Sequence, residues 1–347
     1  MNFLIVGAGI SGTSLAFHLL NKKHQITIID SGINSSSAIA AGMINPITFR
    51  RMIHSWKSNE LLAYCSSFYR EIENLTSKKV LINRQIRRVF ASTEEKNLWL
   101  QKQQEDQYKS YLQPLSQESF KNEEHILVDH GSGVVNTIGY VDVKTFLEAT
   151  HLYLKEKVLF IKSKFDFNLF DPIKRVYKDQ KFDYVIFAEG YQGVQNPYFN
   201  YLPLNTTKGE LLTASIPGLD KDEIINRKCF VLPLADGTFK IGATFQWHTQ
   251  NLSLTESAKE ELTEKYNQLV KVPMEILSQE AGIRPTVIDR RPLIGEHSNY
   301  GGLYFFNGMG TKGYMLAPFF AKQLVDNILY LKPLDNEVNI TRFNPKT

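Results

Sequence analysis

The sequence predicts an α/β protein of two domains, one built on a parallel sheet with helices against it and the other on a mainly antiparallel sheet. Three observations lead there. The first 30 residues read as strand, glycine turn, helix, strand. The middle of the chain alternates apolar and polar residues in hairpin fashion, and 347 residues correspond to about two domains at roughly 150 residues each.

Taken in order, Phe3–Val6 is a continuous apolar run that ends in glycine, and Ser11–Leu20 places Leu15, Leu19 and the small Ala16 on one helical face. Gln25–Asp30, with Ile26, Ile28 and Ile29, completes a βαβ unit whose strands must be parallel. From Ser58 to Leu75 the apolar positions Leu61, Cys65, Phe68, Ile72 and Leu75 recur at helical spacing, which puts the Cys65 thiol in packing rather than chemistry. Residues 91–125 are mostly polar, with Trp99 and Leu100 among Gln, Glu and Lys, and read as a solvated helix followed by a loop. Val158–Lys178 alternates like a hairpin, Phe182–Ala188 returns as a buried strand, and Lys228–Thr244 folds back around Asp236-Gly237. Gly301–Phe306 is strand-like; Tyr314–Leu331 is helical, with Pro318 expected in an early turn or at a kink.

Composition narrows the function classes. The 40 Lys+Arg against 36 Asp+Glu leave a net charge of +4, too diffuse for a dedicated nucleic-acid binder, and 43% apolar residues exclude disorder. Cys65 and Cys229 are far apart and form no CxxC, and the eight histidines show no HxxxH, so no metal site is expected. Phe3–Leu20 lacks a basic leader and carries Gly7, Gly9 and Gly12, so it is not read as a signal peptide, and a cytoplasmic location is expected. No other apolar run approaches about 20 residues, so no membrane span is expected. No serine-hydrolase elbow or P-loop occurs.

Gly7-Ala8-Gly9-Ile10-Ser11-Gly12 is a complete G-x-G-x-x-G directly after a strand and at a helix start. Gly7 permits the turn, Gly9 lets a pyrophosphate approach the backbone, and Gly12 lets helix pack on strand, while the helix N-terminus offers unpaired N–H groups. Asp30, at the end of the next strand and followed by Ser31, is placed to accept hydrogen bonds from a ribose. The fingerprint makes this domain Rossmann-like. By itself it leaves NAD(P) and FAD both open, since they share the adenosine diphosphate half.

Later blocks resemble the D-amino-acid oxidase-like (DAO) family of FAD-dependent oxidoreductases over nearly the whole chain. They are Ser35-Ser36-Ser37 with Ala40-Ala41-Gly42-Met43-Ile44, Gly139-Tyr140-Val141-Asp142 opening a helix, and Phe182–Ala188 with Glu189-Gly190. Ala281-Gly282-Ile283-Arg284-Pro285, followed by Pro292-Leu293-Ile294-Gly295, and Asn307-Gly308-Met309-Gly310-Thr311-Lys312-Gly313 complete the order. The family includes glycine oxidase, sarcosine oxidase-like enzymes and the flavin half of a bacterial tRNA-maturing enzyme. The resemblance implies that Ala41, Gly42 and Met43 run beside a flavin, that Ala188 and Gly190 form a second cofactor-side turn, and that Gly308–Gly313 meet the flavin's pyrimidine edge. It also implies that Arg284 pairs with a substrate carboxylate, where the alternative is an interdomain salt bridge. Phe230 stands where several relatives carry a tyrosine, and it is either pocket or core. Lys312 and the arginine-rich Phe49-Arg50-Arg51 are closer to the tRNA-maturing relative, whose methyltransferase half this chain lacks. No cysteine lies near the Arg284 block, so the FAD is expected to be non-covalent.

The resulting expectation is a discontinuous FAD domain at 1–80, 139–205 and 282–347, with a substrate domain at 81–138 and 206–281. The expected reaction oxidises a C–N bond of a small amine or amino acid by hydride transfer to flavin N5, followed by imine hydrolysis, with Arg284, Phe230 and Lys312 at the reacting end. Two alternatives stay beside it: a flavoenzyme acting on an aminomethyl-uridine side chain of tRNA, and an NAD(P)-dependent dehydrogenase sharing only the βαβ unit. The sequence does not specify the electron acceptor or the oligomeric state.

Overall fold

The computed structural model describes residues 1–33, 36–113 and 120–343; Ser35 and the side chain of Arg50 lie outside the described part. Along the chain the principal elements are β1 (Asn2–Val6), α1 (Ile10–Leu20), β2 (Gln25–Asp30), α2 (Ser58–Thr76), β3 (Gln85–Val89), α3 (Thr93–Gln104), β4 (Ser132–Val135), α4 (Val143–Lys155), β5 (Leu159–Lys162) and β6 (Tyr184–Phe187). They continue with β7 (Leu204–Ser215), β8 (Glu223–Asn226), β9 (Phe230–Pro233), β10 (Phe239–Gly242), β11 (Gln246–Trp247), α5 (Glu256–Asn267), β12 (Glu275–Val287), β13 (Leu293–Glu296), β14 (Leu303–Asn307) and α6 (Gly313–Tyr330).

Six strands form one sheet in the order β13-β14-β6-β1-β2-β5, parallel throughout except for β13. Its central strands are continuous apolar runs because both faces are covered. Phe3 and Ile5 face the layer that contains α1 and α6, while Leu4 and Val6 face an aromatic cluster of Phe165, Phe170, Phe187 and Phe199. The alternation of strand side chains thus divides one run between two cores. The second sheet runs β11-β7-β10-β9-β8-β3-β4, with β12 also paired to β7; it is antiparallel apart from the β8–β3 pair. Among the described residues no helix is long and apolar enough to cross a membrane.

Two expectations for single elements change. Leu159–Lys162 is a parallel edge strand on β2, and the hairpin expected there is confined to Phe170–Asp171 against Val176–Tyr177. An edge strand with one partly exposed face alternates as a hairpin arm does, so the pattern alone could not separate them. The polar helix α3 is not simply solvated: Trp99 is fully buried, its ring 5.4 Å from Phe90, over Gly133, where a Cβ would collide with the indole.

Pro318 lies inside α6, in its second turn. Proline has no N–H for the carbonyl of Tyr314. That carbonyl instead accepts the Tyr69 hydroxyl of α2 at 2.5 Å, while the Cys65 thiol lies beside it and is nearest the Met315 carbonyl, at 3.2 Å. Cys65 is fully buried and its thiol is pushed well up by that burial, in keeping with a packing role.

Candidate functional site

A cavity of about 1120 Å³ lies where the C-terminal ends of β1, β2, β6 and β14 face the antiparallel sheet. The crevice beyond the carboxyl ends of parallel strands is where open α/β sheets hold their ligands.

At one end the wall is the first turn. Gly7 has φ +104°, a backbone state that favours glycine, and its N–H donates to the Ile29 carbonyl at 2.8 Å. Gly12 packs on the Gly7 carbonyl, where a Cβ has no room. Helix α1 begins after Gly9, which has no side chain to cap it; Ile10 N donates to Ser37 Oγ at 3.0 Å, and the N–H groups of the next residues point toward where an anion would sit. Asp30 accepts from Ala8 N and from Gly32 N, both at 2.7 Å, which fixes its carboxylate at the end of β2. Ser31, Ser36, Ser37 and the segment 163–168 continue this wall.

Ala188, Glu189 and Gly190 follow β6 along the cavity, and Asn307 Nδ2 donates to the Gly190 carbonyl at 2.8 Å, tying the β6 and β14 ends together. Glu189 accepts from Asn196 Nδ2 at 2.7 Å; withdrawal from bulk water pushes its carboxyl up to about 7, against the pull of that bond. Sequence reading did not single out Glu189, because Ala-Glu-Gly looks like any solvated turn.

At the other end Ala41, Gly42 and Met43 face Met309, Gly310, Thr311, Lys312 and Gly313, at the start of the 18-residue helix α6. Lys312 Nζ donates to Asn45 O at 3.1 Å and to Ser55 Oγ, and burial lowers it to about 8. Arg284, on β12, donates to Thr244 O at 3.5 Å and lies 5.5 Å from the Phe245 ring. Burial lowers its guanidinium to about 10, with no neighbouring charge opposing that shift. Among the described residues neither cation has a carboxylate at ion-pair distance, so the salt-bridge alternative for Arg284 finds no partner. Phe230 and Leu211 supply apolar wall between them.

The cavity therefore collects Gly7, Gly9, Ile10, Ser11, Asp30, Ser31, Ala41, Gly42, Met43, Ala188, Gly190, Phe230, Arg284 and Met309–Gly313. Gly12 and Gly308 stand behind it: Gly12 against Gly7, and Gly308, with φ +76°, against Val287 and Leu293. Cavity residues that the sequence did not reveal include Glu189, Gly209, Thr244, Phe245 and the Gln195–Gln250 pair, bonded at 3.3 Å. An extended dinucleotide fits these residues, with a glycine turn and an uncapped helix at one end and positive charge with apolar wall at the other.

The family model for FAD dependent oxidoreductases (DAO) matches residues 2–327. The uncharacterized oxidoreductase YurR of Bacillus subtilis is 23% identical over 99% of this chain and 98% of its own. Among solved structures, iminodiacetate oxidase from Chelativorans sp. BNC1 superposes with TM-score 0.81 at 18% identity, over 99% of this chain and 98% of that one. Glycine oxidase from Bacillus cereus superposes with TM-score 0.79 at 19% identity, over 96% of each chain.

Proposed function

Because the chain belongs to the DAO family of FAD-dependent oxidoreductases, we propose that it oxidises the C–N bond of a small amine bearing a carboxylate. The observation that carries this reading is Arg284: a guanidinium in the cavity wall, drawn down by burial, with, among the described residues, a single long hydrogen bond and no anionic partner. A buried charge is costly unless paired, and the planar fork of arginine suits a carboxylate. Iminodiacetate oxidase and glycine oxidase share the fold, and their names describe acids of this kind.

In this reading Gly7–Gly12 receive the pyrophosphate, Asp30 the ribose, and Ala41–Met43 with Met309–Gly313 flank the ring system. Bound FAD supplies the hydride acceptor. Arg284, steadied by the Thr244 carbonyl, orients the substrate through its carboxylate, so that the carbon carrying nitrogen is held in one place. Phe230 and Leu211 exclude water and favour the neutral amine, which releases hydride without a general base and leaves an iminium. Water adds to that carbon, and the C–N bond breaks to give a carbonyl compound and ammonia or an amine. Lys312 and the N-terminus of α6 place positive charge where negative charge develops on reduction.

The test is anaerobic mixing of the flavin-loaded protein with amino acids, N-alkyl amino acids, simple amines and aminomethylated tRNA. Bleaching by carboxylated amines, lost in Arg284→Ala with flavin retained, is the expected result. Bleaching by none of the amines would refute the reading, and bleaching by the tRNA alone would replace the substrate class.

A further inference from the structure

Resting on the reading that Arg284 receives a carboxylate, we propose that Gly209 is the positioning residue that sets where its guanidinium lies. In the β7–β12 ladder Thr207 is opposite Arg284 and Gly209 opposite Gly282, so Arg284 and Gly209 are diagonal neighbours on one sheet face. Arg284 leans across that diagonal: a Cβ built on Gly209 falls inside the guanidinium, meeting both terminal nitrogens and the central carbon. The Phe245 ring is 5.5 Å from the guanidinium carbon and Thr244 O accepts from one nitrogen, so backbone, ring and carbonyl together form a slot.

Conformation does not explain a glycine here. Gly209 is not among the glycines with positive φ and lies within a regular strand, where residues with side chains are at ease. Room for Arg284 is what the position supplies.

The strand is also held from its other face. Lys208 and Glu210, flanking Gly209, are both buried and paired at 2.8 Å. Glu210 accepts from Thr255 N at 3.0 Å, Thr255 Oγ1 at 2.9 Å and Gln279 Nε2 at 2.6 Å, while Lys208 Nζ also donates to Ser253 O. Such a satisfied buried network resists displacement. A methyl at 209 therefore moves the arginine rather than the strand.

The experiment compares wild type, Gly209→Ala, Arg284→Ala and the double variant, using benzoate as the carboxylate probe. It reads the perturbation of the bound flavin's visible spectrum, flavin content per chain and Tm. Gly209→Ala is expected to weaken benzoate by at least about tenfold, and in the Arg284→Ala background to change nothing further, since the group it crowds is gone. The double variant is expected to match Arg284→Ala in flavin content and Tm, a readout that survives even if Gly209→Ala alone folds poorly. Wild-type benzoate affinity in Gly209→Ala, or equal damage from it with and without the guanidinium, would overturn the role of Gly209 while leaving Arg284 in the site. Wild-type benzoate affinity in Arg284→Ala would instead remove the reading on which the proposal rests.

Discussion

The two ends of the cavity are built on opposite electrostatic plans. At the first turn the wall is backbone: glycines, an uncapped helix, and a carboxylate, Asp30, pinned by two N–H groups. At the other end it carries two cations, Arg284 from β12 and Lys312 from the last turn, that meet no carboxylate among the described residues. The first end recognises chiefly through shape and peptide dipoles; the second uses buried charges that a ligand can neutralise. Affinity for the cofactor and reactivity toward substrate should therefore be separable by mutation.

The strongest challenge to that separation is Gly9→Val. A branched side chain in the turn should expel FAD almost completely, measured as flavin released per chain, and a variant that keeps its flavin would place the phosphates elsewhere. Next, Arg284→Ala should keep FAD but lose roughly 10–150-fold in kcat/KM for carboxylated substrates, as expected for removing a charged hydrogen bond of about 1.5–3 kcal/mol. Lys312→Met should also retain FAD while making it harder to reduce, seen as a negative shift of the midpoint potential in spectroelectrochemistry.

The smallest effect sharpens the comparison through pH. Glu189 ionises near 7 in the folded chain against an ordinary 4.5, so in that interval the folded state holds a proton that the unfolded state has released. Its stability contribution is intact below about 4.5 and is lost as pH rises through about 7. The Tm of wild-type apoprotein minus that of Glu189→Gln should decline across this window and flatten above it. A constant difference would place the carboxyl in water.

What the sequence disclosed follows from how local each signal is. Gly7–Gly12 is contiguous, its glycines answer to a turn and close approach, and apolar runs flank it, so that wall was visible in one dimension; Asn307–Gly313 is as local, but its place at the cavity was read through family resemblance. Arg284 was visible only through family resemblance, since a lone arginine in a strand says nothing about partners. Glu189, Gly209 and the Lys208–Glu210 pair were hidden because burial of polar residues is decided from afar. Asn196, Thr255 and Gln279 supply the hydrogen bonds, and Lys-Gly-Glu, taken alone, looks like a surface turn. Trp99 shows the same limit, one aromatic in a polar helix whose slot is opened by Gly133 from another strand.

Pro318 has a mechanical corollary. By withholding an amide proton from Tyr314 it hands one buried carbonyl to Tyr69 on α2, and so bolts the last helix to its neighbour near its own origin. Rolling that helix about its axis would strand the carbonyl, at a cost of about 1–3 kcal/mol. The glycine turn that precedes this helix is thereby anchored to α2 at the point where the cavity wall begins.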